Sequence, residues 1–583
     1  MNWNLNDLYK GFDETYEADL KKLEQLLNDY KALVENEKGL SDLALLEGYL
    51  KSQEDLERLA TSLYAFASLT TSTDVTNQVA LGYMARLQQL LSSVTKENVQ
   101  MSRFIAGLDL DSLEQQSELV KIYRYGLNLT QTGAKHLLSE SEEVIYAKMR
   151  QLASNQWSQL QGLLTANLNV DFEGKQITLS EVRNLAYDHN KDVRKKAYEA
   201  ELKSYEPIAD AVAMALSNIK REVTELNAMR GYSSALEKTL EISHMTKETL
   251  DAMIEAMKDF RPNFAKYLKA KAAYLGHQKG LPFYDLFAPI GKLDKTYTFE
   301  EAQKIVLDSF YGFSPRLGNF AKKAFDNQWI DAFPRKGKRG GAFCSNQPQI
   351  RQSRFLLNFT GSLSDVSTLA HELGHGYHGD VIQDEQPLNW DYPMPLAETA
   401  SIFCETIVMN KLFNELEKDE EKLSVLEISL QGDTQVIIDI LSRYLFETKL
   451  FENAKGPISK DQMKSWMLEA QKAAYTDGLD HDLLHPYMWL NKGHYYSAGL
   501  NFYNFPYAFG LLFGKGLYSL YQQDPQSFLK NYDRLLGLTG KASVEDVAAS
   551  MGIDVTKKDF WVTSLNEVNK DIELVIELMK KTV

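Results

Sequence analysis

Residues 371–378 read HELGHGYH, three histidines and a glutamate within eight positions. Their spacing can do metal chemistry. On a helix, His371 and His375 stand one turn apart on one face. Two imidazoles so placed can converge on one tetrahedral ion, whose ligand nitrogens lie about 2.0–2.1 Å away. Glu372 projects beside them, where a carboxylate can hold a water as general base. The competing reading is a charged helix face that happens to be rich in histidine.

A tetrahedral site needs a third protein ligand. His378 shares the face, but seven residues of helix rise about 10.5 Å, too far for three ligands of one straight helix to meet. The pattern HExxHxxGxxH also fails, because His378 stands where it has glycine. His378 is therefore expected behind the ligands or at the cleft rim. Downstream, PMPLAETASIFCETIVMN (393–410) carries Glu398 and Glu405 two turns apart. Pro395 can open a helix there. Glu398 follows His375 by 23 residues, enough chain to bring a second helix back against the first. We take Glu398 as the third ligand. Glu405 then orients a ligand histidine or sits in the cleft wall. Two His and one Glu suit zinc, one ion per chain, although cobalt or manganese fits the same donors.

Residues 485–514 read HPYMWLNKGHYYSAGLNFYNFPYAFGLLFG. An aromatic core segment is the plain reading. Tyrosines that only packed could equally be phenylalanine, so His494, Tyr495, Tyr496, Tyr503 and Tyr507 are candidates to polarise a substrate carbonyl. The other histidines pair with no carboxylate at ligand spacing. GKRGG (337–341) and GKG (514–516) lack the serine or threonine that a phosphate loop needs.

The elements that must position these residues are mostly helical. Leu56, Leu59, Leu63 and Phe66 recur at three- and four-residue spacing, with Ser52 and Asp55 as a candidate capping box. Val182–Met229 and Lys247–Leu275 keep the same period. Ser362 and Asp365 can cap a helix from about residue 363, with Val366, Leu369 and Leu373 facing inward. GGAFC (340–344) and RFLLNF (354–359) look extended, which predicts a small sheet beside the metal helix. NVDFEGKQITLS breaks the helical pattern and suggests a division near 195: a helical N-terminal region over 1–195 and a catalytic body over 196–583.

The chain's 583 residues can bury a large core without staples. With 64 Lys+Arg against 80 Asp+Glu, the net charge of −16 argues against a nucleic-acid partner. Two cysteines without CxxC spacing exclude a disulfide scaffold and a thiolate zinc site. MNWNLNDLYKGF has no secretory pattern, and no apolar run approaches the roughly 18 residues of a membrane span, so a cytoplasmic chain is expected.

GKRGGAFC, RFLLNFTGSLSDVSTLAHELGHGYH, PLAETASIFCE and HYYSAGLNFYNFPYAFG, in this order, resemble the oligoendopeptidase F family of thimet-oligopeptidase-like zinc peptidases. The opening WNLNDLY is similar to its N-terminal domain more loosely. The resemblance implies a mainly α fold: a large helical ellipsoid split by a deep channel with zinc at its bottom. It implies cleavage of internal bonds in short peptides, His371, His375 and Glu398 as ligands, and Glu372 as base. It also implies that His494, Tyr507 and either Tyr496 or Tyr503 act on substrate, and that the strand around Gly341 and Ala342 pairs with extended substrate backbone. A zinc exopeptidase, or an inactive peptide-binding homologue, are the alternatives; a retained Glu372 counts against the last.

Overall fold

The computed structural model describes residues 1–291 and 295–582. Helices dominate it from the first. α1 (Glu14–Glu35) and α2 (Asp42–Thr73) pack as a pair around Tyr16, Leu20, Leu63 and Phe66. The cap expected at Ser52 is absent. α2 begins at Ser41, whose hydroxyl accepts from the Ala44 amide, and Leu45, Leu46 and Leu50 extend the buried stripe N-terminal to Leu56. A capping pattern inside a continuing apolar stripe does not stop a helix.

A second difference lies at NVDFEGKQITLS, which forms a hairpin of β1 (Asn169–Phe172) and β2 (Lys175–Thr178). Glu173 and Gly174 both take positive φ, 52° and 80°, the two-residue turn that matches strand twist. The expected helical stretch 182–229 is also interrupted. It breaks after Asn184 and again near Glu206 before α3 (Ala209–Met229). α4 (Lys247–Tyr274) runs unbroken through Pro262.

A three-stranded sheet then precedes the HELGH segment. β3 (Ile330–Asp331) pairs parallel with β5 (Gln352–Leu356), which pairs antiparallel with β4 (Phe343–Gln347). β4 thus keeps one edge without a strand partner among the described residues. The N-terminal segment docks on this sheet. Arg354 Nε donates to the Asn4 carbonyl at 2.8 Å, and the Trp3 ring meets Phe343 edge-on.

α5 (Leu363–Ile382) carries HELGHGYH, and α6 (Thr399–Glu415) crosses it. α7 (Phe505–Gln523) packs on α6 and on α8 (Lys558–Lys581). One large apolar core joins these helices to α4 and the sheet, with Val366, Leu369, Leu373, Phe403 and Phe509 fully buried. The architecture is the mainly α body with a small sheet beside the HExxH helix that the sequence predicts. No helix among the described residues is long and apolar enough to cross a membrane.

Candidate active site

The start of α5 is set by one carboxylate. Asp365 Oδ2 accepts from the amides of Thr360, Gly361 and Ser362 at 2.9–3.0 Å, while the Ser362 hydroxyl accepts from the Asp365 amide. This fixes where the helix begins, and hence which face the histidines occupy. His371 and His375 then project together, their ring centroids 4.9 Å apart. Pro395 opens only a short turn, Met394–Ala397. Glu398 does not lie within a continuous helix, as the sequence suggests, but at the junction where α6 starts.

Donor atoms of His371, His375 and Glu398 all lie within 4.8 Å of one another. Glu398 Oε2 is 3.2 Å from His371 Nε2 and 3.4 Å from His375 Nε2. Two imidazole nitrogens and a carboxylate oxygen facing one point form a donor set that fits zinc. The supporting contacts are equally specific. Glu405 Oε2 lies 3.1 Å from His371 Nδ1, the arrangement that fixes an imidazole's tautomer and orientation. Ser367 donates to Glu405 Oε1 and Ser401 donates to Glu398 Oε2, each at 2.8 Å.

The imidazoles and carboxylates of the cluster shift one another's titration. Burial works against a charged His371, but hydrogen bonds to Glu398 and Glu405 hold its proton well above the usual histidine range. Burial lowers His375 to about 4, opposed by Glu398. Glu398 is held down to about 2: burial opposes this, and His371 and His375 outweigh it. Glu372 is 6 % exposed, and its Oε2 has no hydrogen-bond partner. Burial pushes its carboxyl up to about 7, with Glu398 adding to the rise and His371 opposing it. A buried carboxylate oxygen without a partner, beside converging ligands, is poised to exchange a proton near neutrality.

His371, Glu372, Glu398 and Glu405 line a cavity of about 740 Å³, together with Ala342 and Tyr507. Tyr507 on that wall receives or gives a hydrogen bond to Tyr503 at 2.6 Å between hydroxyl oxygens. Tyr503 in turn stacks on His494 at 5.5 Å. The structure thus brings Tyr507, Tyr503 and His494 together as one row, with His494 behind the wall and not on it. Asn504 Nδ2 donates to His494 Nε2 at 2.9 Å. Burial, then the charges of Arg443 and Lys492, lower His494 to about 3, so the imidazole stays neutral. Tyr496 stands apart. It is fully buried in a separate core, and its hydroxyl donates to the Trp489 carbonyl at 3.2 Å. His378 is not at the rim. It is 0 % exposed, pairs with Thr539 Oγ1 at 2.8 Å and stacks on Tyr392. Gly341 is exposed with φ 82°, and its carbonyl accepts from Asn358 Nδ2 at 2.7 Å.

Sequence reasoning missed two glycines. A Cβ on Gly374 would stand 2.6 Å from the Ala400 carbonyl oxygen, and one on Gly510 would stand 2.6 Å from Glu398 Cβ. Both permit the close approach that seats Glu398 beside the histidines. Ser401 was findable, because it lies one turn from Glu398, which it supports; Ser367 and the glycines were not, because their partners are distant in sequence.

The chain is similar to known proteins over most of its length. The model of peptidase family M3 matches residues 184–567, which include every residue of the metal cluster and the tyrosine row. The chain is 24% identical to oligopeptidase PepF of Bacillus subtilis, over 99% of this chain and 87% of the relative. It is 26% identical to an oligoendopeptidase F homolog of Lactococcus lactis subsp. lactis, over 99% and 98%. The crystal structure of oligoendopeptidase-F from Enterococcus faecium shares the fold, with a TM-score of 0.72 at 19% identity, covering 98% of this chain and 99% of that one. With a family model that spans about two thirds of the sequence and takes in the whole HELGH cluster, this chain belongs to peptidase family M3.

Proposed function

We propose that the chain is a zinc-dependent endopeptidase that hydrolyses internal bonds of short oligopeptides, with Glu372 as general base. Membership of family M3 makes it a metalloendopeptidase; zinc, the base and the substrate size are our reading. The observation that carries it is the convergence of His371, His375 and Glu398 donors beside the unpartnered Glu372 carboxylate oxygen. Zinc, when bound, acts as a Lewis acid on a carbonyl oxygen and acidifies water. Glu372 Oε2 takes the proton of the attacking water and later gives it to the leaving amine nitrogen. Glu405 holds His371 in the tautomer that leaves Nε2 free as a ligand. The Tyr507 hydroxyl, backed by Tyr503 and the neutral His494, donates to the carbonyl oxygen as it gains charge. Extended substrate adds to the free edge of β4, reached through Gly341 and Ala342.

An internally quenched peptide blocked at both ends tests this. The zinc-loaded enzyme cleaves it at an internal bond. An exopeptidase leaves it intact, and an inactive binding protein leaves every peptide intact.

A further inference from the structure

A second cavity, of about 220 Å³, lies between the 182–201 segment and the helices near Asp439 and Tyr475. It has room for many times one water. Aromatic and apolar walls, including Tyr198, Phe283 and Tyr475, surround a group of charges. Most of those charges are matched. Arg194 pairs with Asp285 at 2.7 Å, Arg443 with Asp439, and Glu201 lies 3.4 Å from His485. Lys492 is not matched: its ammonium has no ion pair and no hydrogen bond among the described residues. Arg183, on the facing element, has only a distant contact of 3.8 Å with Glu201. Arg443 Nε is buried without a partner. Burial, and then Arg443, lower the Lys492 amine to about 8, as expected of a cation short of counter-charge.

The cavity is coupled to the tyrosine row. Arg443 NH1 donates to Asn504 Oδ1 at 3.1 Å, and Asn504 holds His494, two residues beyond Lys492. Contacts through Asn504 and Arg443 thus link the His494 end of the tyrosine row to this cationic, aromatic-walled space.

We propose that this cavity is a carboxylate subsite in which Lys492 and Arg183 bind the C-terminal carboxylate, or an acidic side chain, of a peptide held in the active site. The proposal rests on the peptidase reading. Its aromatic wall packs the residue that bears the carboxylate, and the two cations, from distant parts of the sequence, both line the space that receives the anion. Charge-assisted hydrogen bonds of this kind are worth a tenfold or larger change in affinity.

The test uses one quenched sequence as free acid, as C-terminal amide, and as amide with glutamate at the last position. KM is read by hydrolysis in the zinc-loaded enzyme, and Kd is read on Glu372→Gln, so that binding is scored even without turnover. The free acid, the glutamate peptide, or both bind about tenfold tighter than the plain amide. Which of them does identifies terminus or side chain as the source. Lys492→Met, read as Kd in the Glu372→Gln background, erases that preference. Arg183→Gln weakens the same peptides and serves if the lysine variant does not fold. Equal Kd for all three peptides, or a preference that survives both substitutions, overturns the proposal. Failure of the peptidase reading looks different: no peptide is cleaved at all.

Discussion

Tyr496 and Tyr503 are the same residue type, seven positions apart, and their surroundings differ. Tyr503 reaches the hydroxyl of Tyr507, which stands on the cavity wall, whereas Tyr496 is tied to a backbone carbonyl inside a separate core. Tyr507→Phe is expected to lower kcat about 100-fold, the scale of one lost oxyanion donor. Tyr503→Phe lowers it less, about tenfold. Tyr496→Phe leaves kcat intact and costs about 1 kcal/mol of stability. Steady-state kinetics and denaturation of the three variants check this, and a kcat loss confined to Tyr496→Phe contradicts it. At this scale the convergence of His371 and His375, with Glu372 beside them, was readable from helix period alone. Glu398 was readable because an apolar stretch flanks it. The choice between two tyrosines was not, since it depends on a loop that no period describes.

The decisive element is α5, and its register depends on Asp365. The carboxylate is partly buried, which raises its pKa. Hydrogen bonds from Thr360 and Ser362 outweigh this and hold it below the usual aspartate range. Its folded value therefore lies under the unfolded one near 3.9, so its stabilisation is full above that pH and fades as the pH falls through the folded value. Asp365→Asn is expected to cost about 1 kcal/mol at pH 7, tempered by solvent screening. The Tm gap to wild type should narrow near pH 3; a gap independent of pH contradicts the assignment. The Ser362–Asp365 signal was legible because capping is local. The same signal at Ser52 misled because the apolar stripe of α2 already runs through it. The hairpin at Glu173–Gly174 escaped because two four-residue strands leave little period to read.

The whole molecule is stapled by ion pairs that no solvent reaches. Lys220 Nζ lies 2.8 Å from Glu447 Oε1 and donates to Asn501 at 3.0 Å; Lys271 pairs with Glu427, which also accepts from Tyr267. Breaking one such pair leaves a buried charge unmatched, at a cost of about 3–5 kcal/mol, whereas replacing both partners by apolar groups is near neutral. Lys220→Met should therefore lower Tm sharply, and Lys220→Met with Glu447→Met should recover most of the loss. A double variant as unstable as the single one contradicts this. These pairs join residues 156 and more positions apart, so composition and period could not reveal them. The overall helical character and the sheet beside the HELGH helix were legible. The close approach at Gly374 and Gly510, and the second cavity, exist only once the chain has folded.

The claim on which the rest depends is that one zinc ion sits among His371, His375 and Glu398 with Glu372 as its base. The direct measurement is hydrolysis of the doubly blocked peptide by Glu372→Gln, expressed per bound zinc, with metal content determined on the same sample. Zinc retained at one per chain, with the rate down by about 10²–10⁴, is the expected result. A zinc-loaded Glu372→Gln enzyme that cleaves at the wild-type rate contradicts the account.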